Sequence, residues 1–146
     1  MHAHFQLVVL IGWLLITSVC FAAWRWGEQA ERLGGMLVFG VSVSFALADQ
    51  LPSRELTRGA YLLLDGALAL GLLVLALRFA RAWVGVAVLL QAVQFSLHAY
   101  YLVAGKRYDN FYAMVNNLVS LGVLLSLAAG TVLVWTRRRK ATAEAK

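Results

Sequence analysis

Residues 60–78 read Ala-Tyr-Leu-Leu-Leu-Asp-Gly-Ala-Leu-Ala-Leu-Gly-Leu-Leu-Val-Leu-Ala-Leu-Arg, a run broken by one charged side chain, Asp65, before Arg78 closes it. About 20 mainly apolar residues in a helix cross the roughly 30 Å hydrocarbon core of a bilayer, so this stretch predicts a membrane-spanning helix. Such sustained apolar runs lack the alternation of a barrel strand. Outward from it, residues 83–104 and 111–135 form two further runs on one side, and 33–51 and 5–24 two more on the other. The expected fold is all-α: one bundle of five transmembrane helices over residues 1–136, followed by a basic tail at 137–146. The second span is the shortest, with an apolar core only from Gly34 to Ala48, which leaves a four-span alternative.

Composition agrees. The chain is 62% hydrophobic and 14% charged, where a soluble domain is about a quarter charged. One proline and the lack of a Ser- or Gly-rich linker leave no place for a second domain. The net charge of +6 does not point to nucleic acid, because the basic residues flank apolar segments and report on topology. The first segment is expected to be retained rather than cleaved: Met1-His2-Ala3-His4 carries no Lys or Arg, and the run from Phe5 to Trp24 exceeds the roughly 7 to 15 residues of a signal core.

Positive residues set the expected direction. With the N-terminus outside and the C-terminus in the cytoplasm, nine Lys and Arg residues lie inside and four (Arg54, Arg58, Lys106, Arg107) outside; the four-span arrangement gives seven against six. The five-span arrangement obeys the positive-inside rule better. It also puts Trp24, Trp26, Trp83 and Trp135 at the inner face and all five tyrosines at the outer face, where amphipathic rings favour the interface. Arg137, Arg138, Arg139 and Lys140 then form a topology anchor against anionic headgroups.

An ionisable residue inside a span costs about 2.5 to 3.5 kcal/mol at the helix centre and marks a functional hypothesis. Asp65 and His98 both lie about six positions below the outer surface, roughly 9 Å deep, and Asn116 and Asn117 reach the same level. Gln91, Gln94 and His98, three and four apart, share one face of the fourth helix; Asn116 and Ser120 repeat that spacing on the fifth. The expectation is a polar seam, widest towards the outside, that either only fixes helix packing, handles a proton or solute, or holds a lipid or cofactor. No catalytic, phosphate-binding or metal-binding motif occurs, so no enzyme activity, metal or particular cofactor is implied. Haem is disfavoured because only His98 lies within a span, and His2 and His4 bring no ligand spacing towards it.

Other features read as structural. Cys20, the lone cysteine, is expected as a bare thiol on a helix face. Glu28 and Glu31 alternate with Arg25 and Arg32 and are expected to form surface ion pairs. Gly40, Ser44 and Ala48, and Gly122, Ser126 and Gly130, form rows of small residues that suit close helix contact.

Asp65, the helix end Ala76-Leu77-Arg78, Trp83, Gln91, His98 and the pair Tyr112-Ala113 together resemble a group of small inner-membrane proteins common in alphaproteobacteria. The resemblance runs from Asp65 to Ala113, about a third of the chain, and brings no activity; it implies a bacterial inner membrane. The leading functional expectation is a non-enzymatic accessory subunit of a membrane complex, contacting lipid and other subunits and compatible with self-association. The alternatives are an outward-opening, proton-coupled carrier and a holin-like permeabilising protein.

Overall fold

A computed structural model describes residues 2–144, and among these it holds five helices: α1 (His2–Trp26), α2 (Gln29–Ala48), α3 (Arg54–Phe79), α4 (Ala82–Val103) and α5 (Asn110–Glu144). Each is long and apolar enough to cross a membrane, consistent with a small multi-pass membrane protein. The side chains of His2 and His4, and Lys146, lie outside the described residues.

Local chemistry sets the breaks. Pro52 precedes the Ser53 cap, whose Oγ accepts from the Leu56 amide at 3.1 Å and starts α3. Ala80 adopts a left-handed conformation (φ 47°) that ends α3, and Gly105 (φ 61°) turns the chain after α4, where no Cβ obstructs. Asp109 Oδ1 accepts from the Tyr112 amide at 2.9 Å, capping α5.

α2 begins four residues before the expected span and stops at Ala48, which leaves Asp49 just past the helix end. The expected tail is helical as far as Glu144. At 1.5 Å per residue, the 35 residues of α5 reach about 52 Å, well beyond a hydrocarbon core.

Each helix packs on its chain neighbours, α1 also meets α5, and α2 reaches across to α5, which closes a five-membered ring. The two ends differ in chemistry. Trp24, Trp26, Trp83 and Trp135 gather at the end holding the α1–α2 and α3–α4 turns, the tryptophan end. Tyr61, Tyr101, Tyr108 and Tyr112 cluster at the other, the tyrosine end.

The tryptophan end is tightly packed. Trp83, 7% exposed, lies between Gly34 and Gly130; a Cβ on Gly130 would fall 2.3 Å from Trp83 Cδ1 and one on Gly34 2.6 Å from its Cη2. Only glycine permits that approach. Thus the small-residue row on α5 is used, Gly122 against Leu90 and Gly130 against Trp83. On α2 nothing among the described residues lies within 4 Å of a Cβ built on Gly40, while Ala48 of the same row is buried and Gly34 and Gly35 make the close contacts. Fully buried Leu72, Val84, Ala87 and Leu127 fill the bundle's middle.

Two expectations need correction at this end. Trp83 is an interior residue rather than an interface ring. Glu31 is not a surface charge: it is fully buried, accepts from Trp83 Nε1 at 2.8 Å through Oε1, and from the Glu28 amide at 2.9 Å through Oε2. The helical turn from Glu28 aims Glu31 into the ring. Glu28 pairs with Arg81 and reaches Arg138 at 3.8 Å, in place of Arg25 or Arg32.

Candidate functional site

Three helices converge below the tyrosine end. Asp65 on α3 is fully buried, His98 on α4 is 2% exposed and Tyr112 on α5 is 6% exposed. Asp65 Oδ2 contacts His98 Nδ1, and the opposite ring nitrogen, Nε2, meets the Tyr112 hydroxyl. Gln91 Nε2 donates to the second carboxylate oxygen, Asp65 Oδ1, at 3.0 Å. An ionised carboxylate only accepts, so it fixes the proton of a neutral imidazole on Nδ1 and leaves Nε2 to accept from Tyr112. Asp65, His98 and Tyr112 then form one contiguous chain of polar contacts. A proton taken up at Nε2 is matched by release of the Nδ1 proton to Asp65, so charge can cross the imidazole without movement of a helix.

The α4 spacing explains why the site forms there. Gln91, Gln94, His98 and Tyr101 fall on one helix face, and all four are buried. Gln94 Nε2 donates to Asn116 Oδ1 at 3.0 Å, and the Ser120 hydroxyl donates to Gln94 Oε1 at 3.4 Å. The expected seam is therefore two linked pieces: Asp65, Gln91 and His98 against α3, and Gln94, Asn116 and Ser120 against α5. Asn117 belongs to neither network; it faces a cavity.

That cavity, about 420 Å³, lies between α1, α2, α4 and α5 in the half of the bundle towards the tyrosine end. Trp13 and Phe45 contribute apolar wall, and Gln91, Gln94, Asn117 and Ser120 contribute the polar side. Gln91 is shared: its amide nitrogen holds Asp65 while the residue lines the cavity.

The sequence puts the tyrosines at one end but does not foretell that three of them surround His98. Tyr61, Tyr108 and Tyr112 set their rings around His98 at 6.1, 6.1 and 5.1 Å, and Tyr108 stacks on Tyr112 at 3.9 Å. Arg58 lies 4.9 Å over the Tyr108 ring, and Tyr61 bonds Asp49. These rings cover the relay. The available signal was spacing, since Tyr112 stands four residues before Asn116 and eight before Ser120 on one face of α5. In the 104–109 connection, the Asp109 carboxyl is held below its ordinary range by the Tyr112 amide first and the Tyr101 hydroxyl second. It positions Tyr112 from outside the helix.

Arg137, Arg139 and Lys140 are exposed along the end of α5, with Arg139 4.1 Å over the Trp135 ring, while Arg138 turns back to Glu28. Cys20 is a buried free thiol. Among the described residues, no three His, Cys, Asp or Glu side chains gather into a metal-holding group. Comparison with protein-family models, curated proteins and solved structures gives no match.

Proposed function

We propose that this chain is a small, non-enzymatic, multi-pass protein of a bacterial inner membrane that binds a solute in the cavity and links its occupancy to the proton carried by Asp65, His98 and Tyr112. The observation that carries the reading is the double role of Gln91, which lines the cavity and hydrogen-bonds Asp65. Solute contact at this amide changes the partner available to the carboxylate, and protonation of the carboxylate changes the amide orientation offered to the solute. The positive-inside count favours an orientation with the tyrosine end, and so the cavity, outside. Exposed Arg137, Arg139 and Lys140 would then meet anionic headgroups within, at about 1 kcal/mol each.

Infrared difference spectra of the reconstituted protein between pH 5 and pH 8 test the proton-carrying part. A carboxylic acid band that vanishes in Asp65→Asn and shifts in His98→Ala is expected. A spectrum that neither substitution alters sinks the reading.

One observation favours a second reading, an accessory subunit of a membrane complex. Gly40 and Ser44 on α2 belong to a small-residue row, and open space surrounds Gly40 among the described residues. Native-level co-purification in mild detergent, repeated with Gly40→Ile, tests it; a clean monomer in both counts against a partner.

A further inference from the structure

The ionisable side chains on the cavity lining bear on the charge of what fits there. Gln91 spends its Nε2 on Asp65, Gln94 spends its Nε2 on Asn116, and the Ser42 hydroxyl donates to Val38 O at 2.8 Å. The Ser42 hydroxyl hydrogen is engaged, and each of the two amide nitrogens keeps one N–H beside its carbonyl oxygen. Gln91, 1% exposed overall, turns its amide to the cavity wall, and Asn117 adds a second amide there. Asp49 is the single ionisable residue on the described lining, and no Lys, Arg or His is there. An anion would meet the Asp49 carboxylate with no Lys, Arg or His on the described lining to offset it. A group that donates hydrogen bonds and carries positive charge meets acceptors and two aromatic faces, Trp13 and Phe45.

We infer that the cavity binds an organic cation, an ammonium head on an apolar body, held by the carbonyl side of Gln91 and by Asp49. This rests on the cavity being the solute site of the function proposed above and adds the class of solute. Asp65 lies one amide behind the head, so the region's charge stays constant if one proton leaves the Asp65–His98 pair as the cation enters. The other titratable or charged groups facing that pair are Tyr61 and Arg58 on α3, Tyr112 on α5, Tyr101 on α4, Tyr108 in the connection, and Asp49 on α2 through Tyr61. Of all these groups, Asp65 and His98 are the two whose carboxylate and ring nitrogen meet directly, so the proton they share is the one the cation's charge acts on.

The experiment compares three biphenyl probes of similar shape on the full chain in nanodiscs: 4-biphenylmethylammonium, 4-biphenylmethanol and 4-biphenylcarboxylate. Equilibrium dialysis reads binding, and a pH indicator in weak buffer reads proton release. Saturable ammonium binding at least tenfold tighter than the alcohol, with no saturable carboxylate binding, is expected. Gly12→Phe removes that binding: a Cβ on Gly12, a lining residue, meets nothing within 4 Å, so the ring fills the cavity while the fold, checked by thermal unfolding, is kept. Asp49→Asn weakens ammonium binding several-fold. Carboxylate binding as tight as ammonium binding, or ammonium binding that survives Gly12→Phe, overturns the inference. With coupling, affinity rises about tenfold per pH unit and one proton is released per cation; Asp65→Asn abolishes both. Saturable, cavity-dependent ammonium binding without proton release supports the cation site and overturns the proton linkage of the proposed function.

Discussion

Gly130→Ala adds one methyl group at the point where α5 meets Trp83. The new Cβ would lie 2.3 Å from Trp83 Cδ1, 2.6 Å from Cγ and 2.7 Å from Nε1. Carbon atoms in contact sit about 3.5 to 4.0 Å apart, so the indole must retreat by more than about 1 Å. Its far edge is pressed towards Gly34, and its nitrogen is bonded to Glu31. Overpacking of this kind costs about 1 to 3 kcal/mol. Pulling Nε1 from the fully buried Glu31 adds about 1 to 3 kcal/mol for an unpaired acceptor, against a helix-propensity gain of up to about 1 kcal/mol. The expected loss is about 3 kcal/mol. Two internal references calibrate it. Gly122→Ala meets only the tip of Leu90, at 2.8 Å, and should cost less than about 1 kcal/mol. Gly40→Ala meets nothing and should be neutral or stabilising. Reversible unfolding of the three variants in one detergent, followed by tryptophan fluorescence, gives the comparison. In a Trp83→Phe background most of the Gly130→Ala cost should disappear. A Gly130→Ala protein within about 1 kcal/mol of Gly40→Ala would refute the wedged-indole account.

Glu31→Gln keeps an acceptor for Trp83 Nε1 and should cost less than Glu31→Leu, which strands both the indole N–H and the Glu28 amide at about 1 kcal/mol or more each. Equal melting shifts for the two variants would show that Glu31 contributes only bulk. Asp109 has a depressed folded pKa, so the stability it lends the start of α5 is complete above its ordinary value of 3.8 and is lost as the pH falls through the lower folded value. Exchange of the Tyr112 amide, corrected for its intrinsic acid dependence, should therefore accelerate at the acid end. Protection that persists unchanged to pH 2 contradicts the cap.

The number of helices and the segregation of Trp from Tyr were legible in the sequence, because bilayer thickness imposes a length of apolar chain and rings with one polar edge concentrate where water begins. That Asp65 and His98 can meet was legible for the same reason: rise per residue is fixed, so position along a helix is position along the bundle. Azimuth is different. Which face of one helix meets which face of another depends on side-chain fit around the whole ring, and there the tertiary structure decided matters. It joined His98 to Tyr112 as well as to Asp65, and joined Gln94 rather than His98 to Asn116. It turned Glu31 from a surface charge into a buried acceptor, because Trp83 enters between two glycines, 34 and 130, that are far apart in the chain. A cavity is farther still from sequence. It is the space left where α1 and α2 stand away from α4 and α5, a property of five helices at once and of no residue alone.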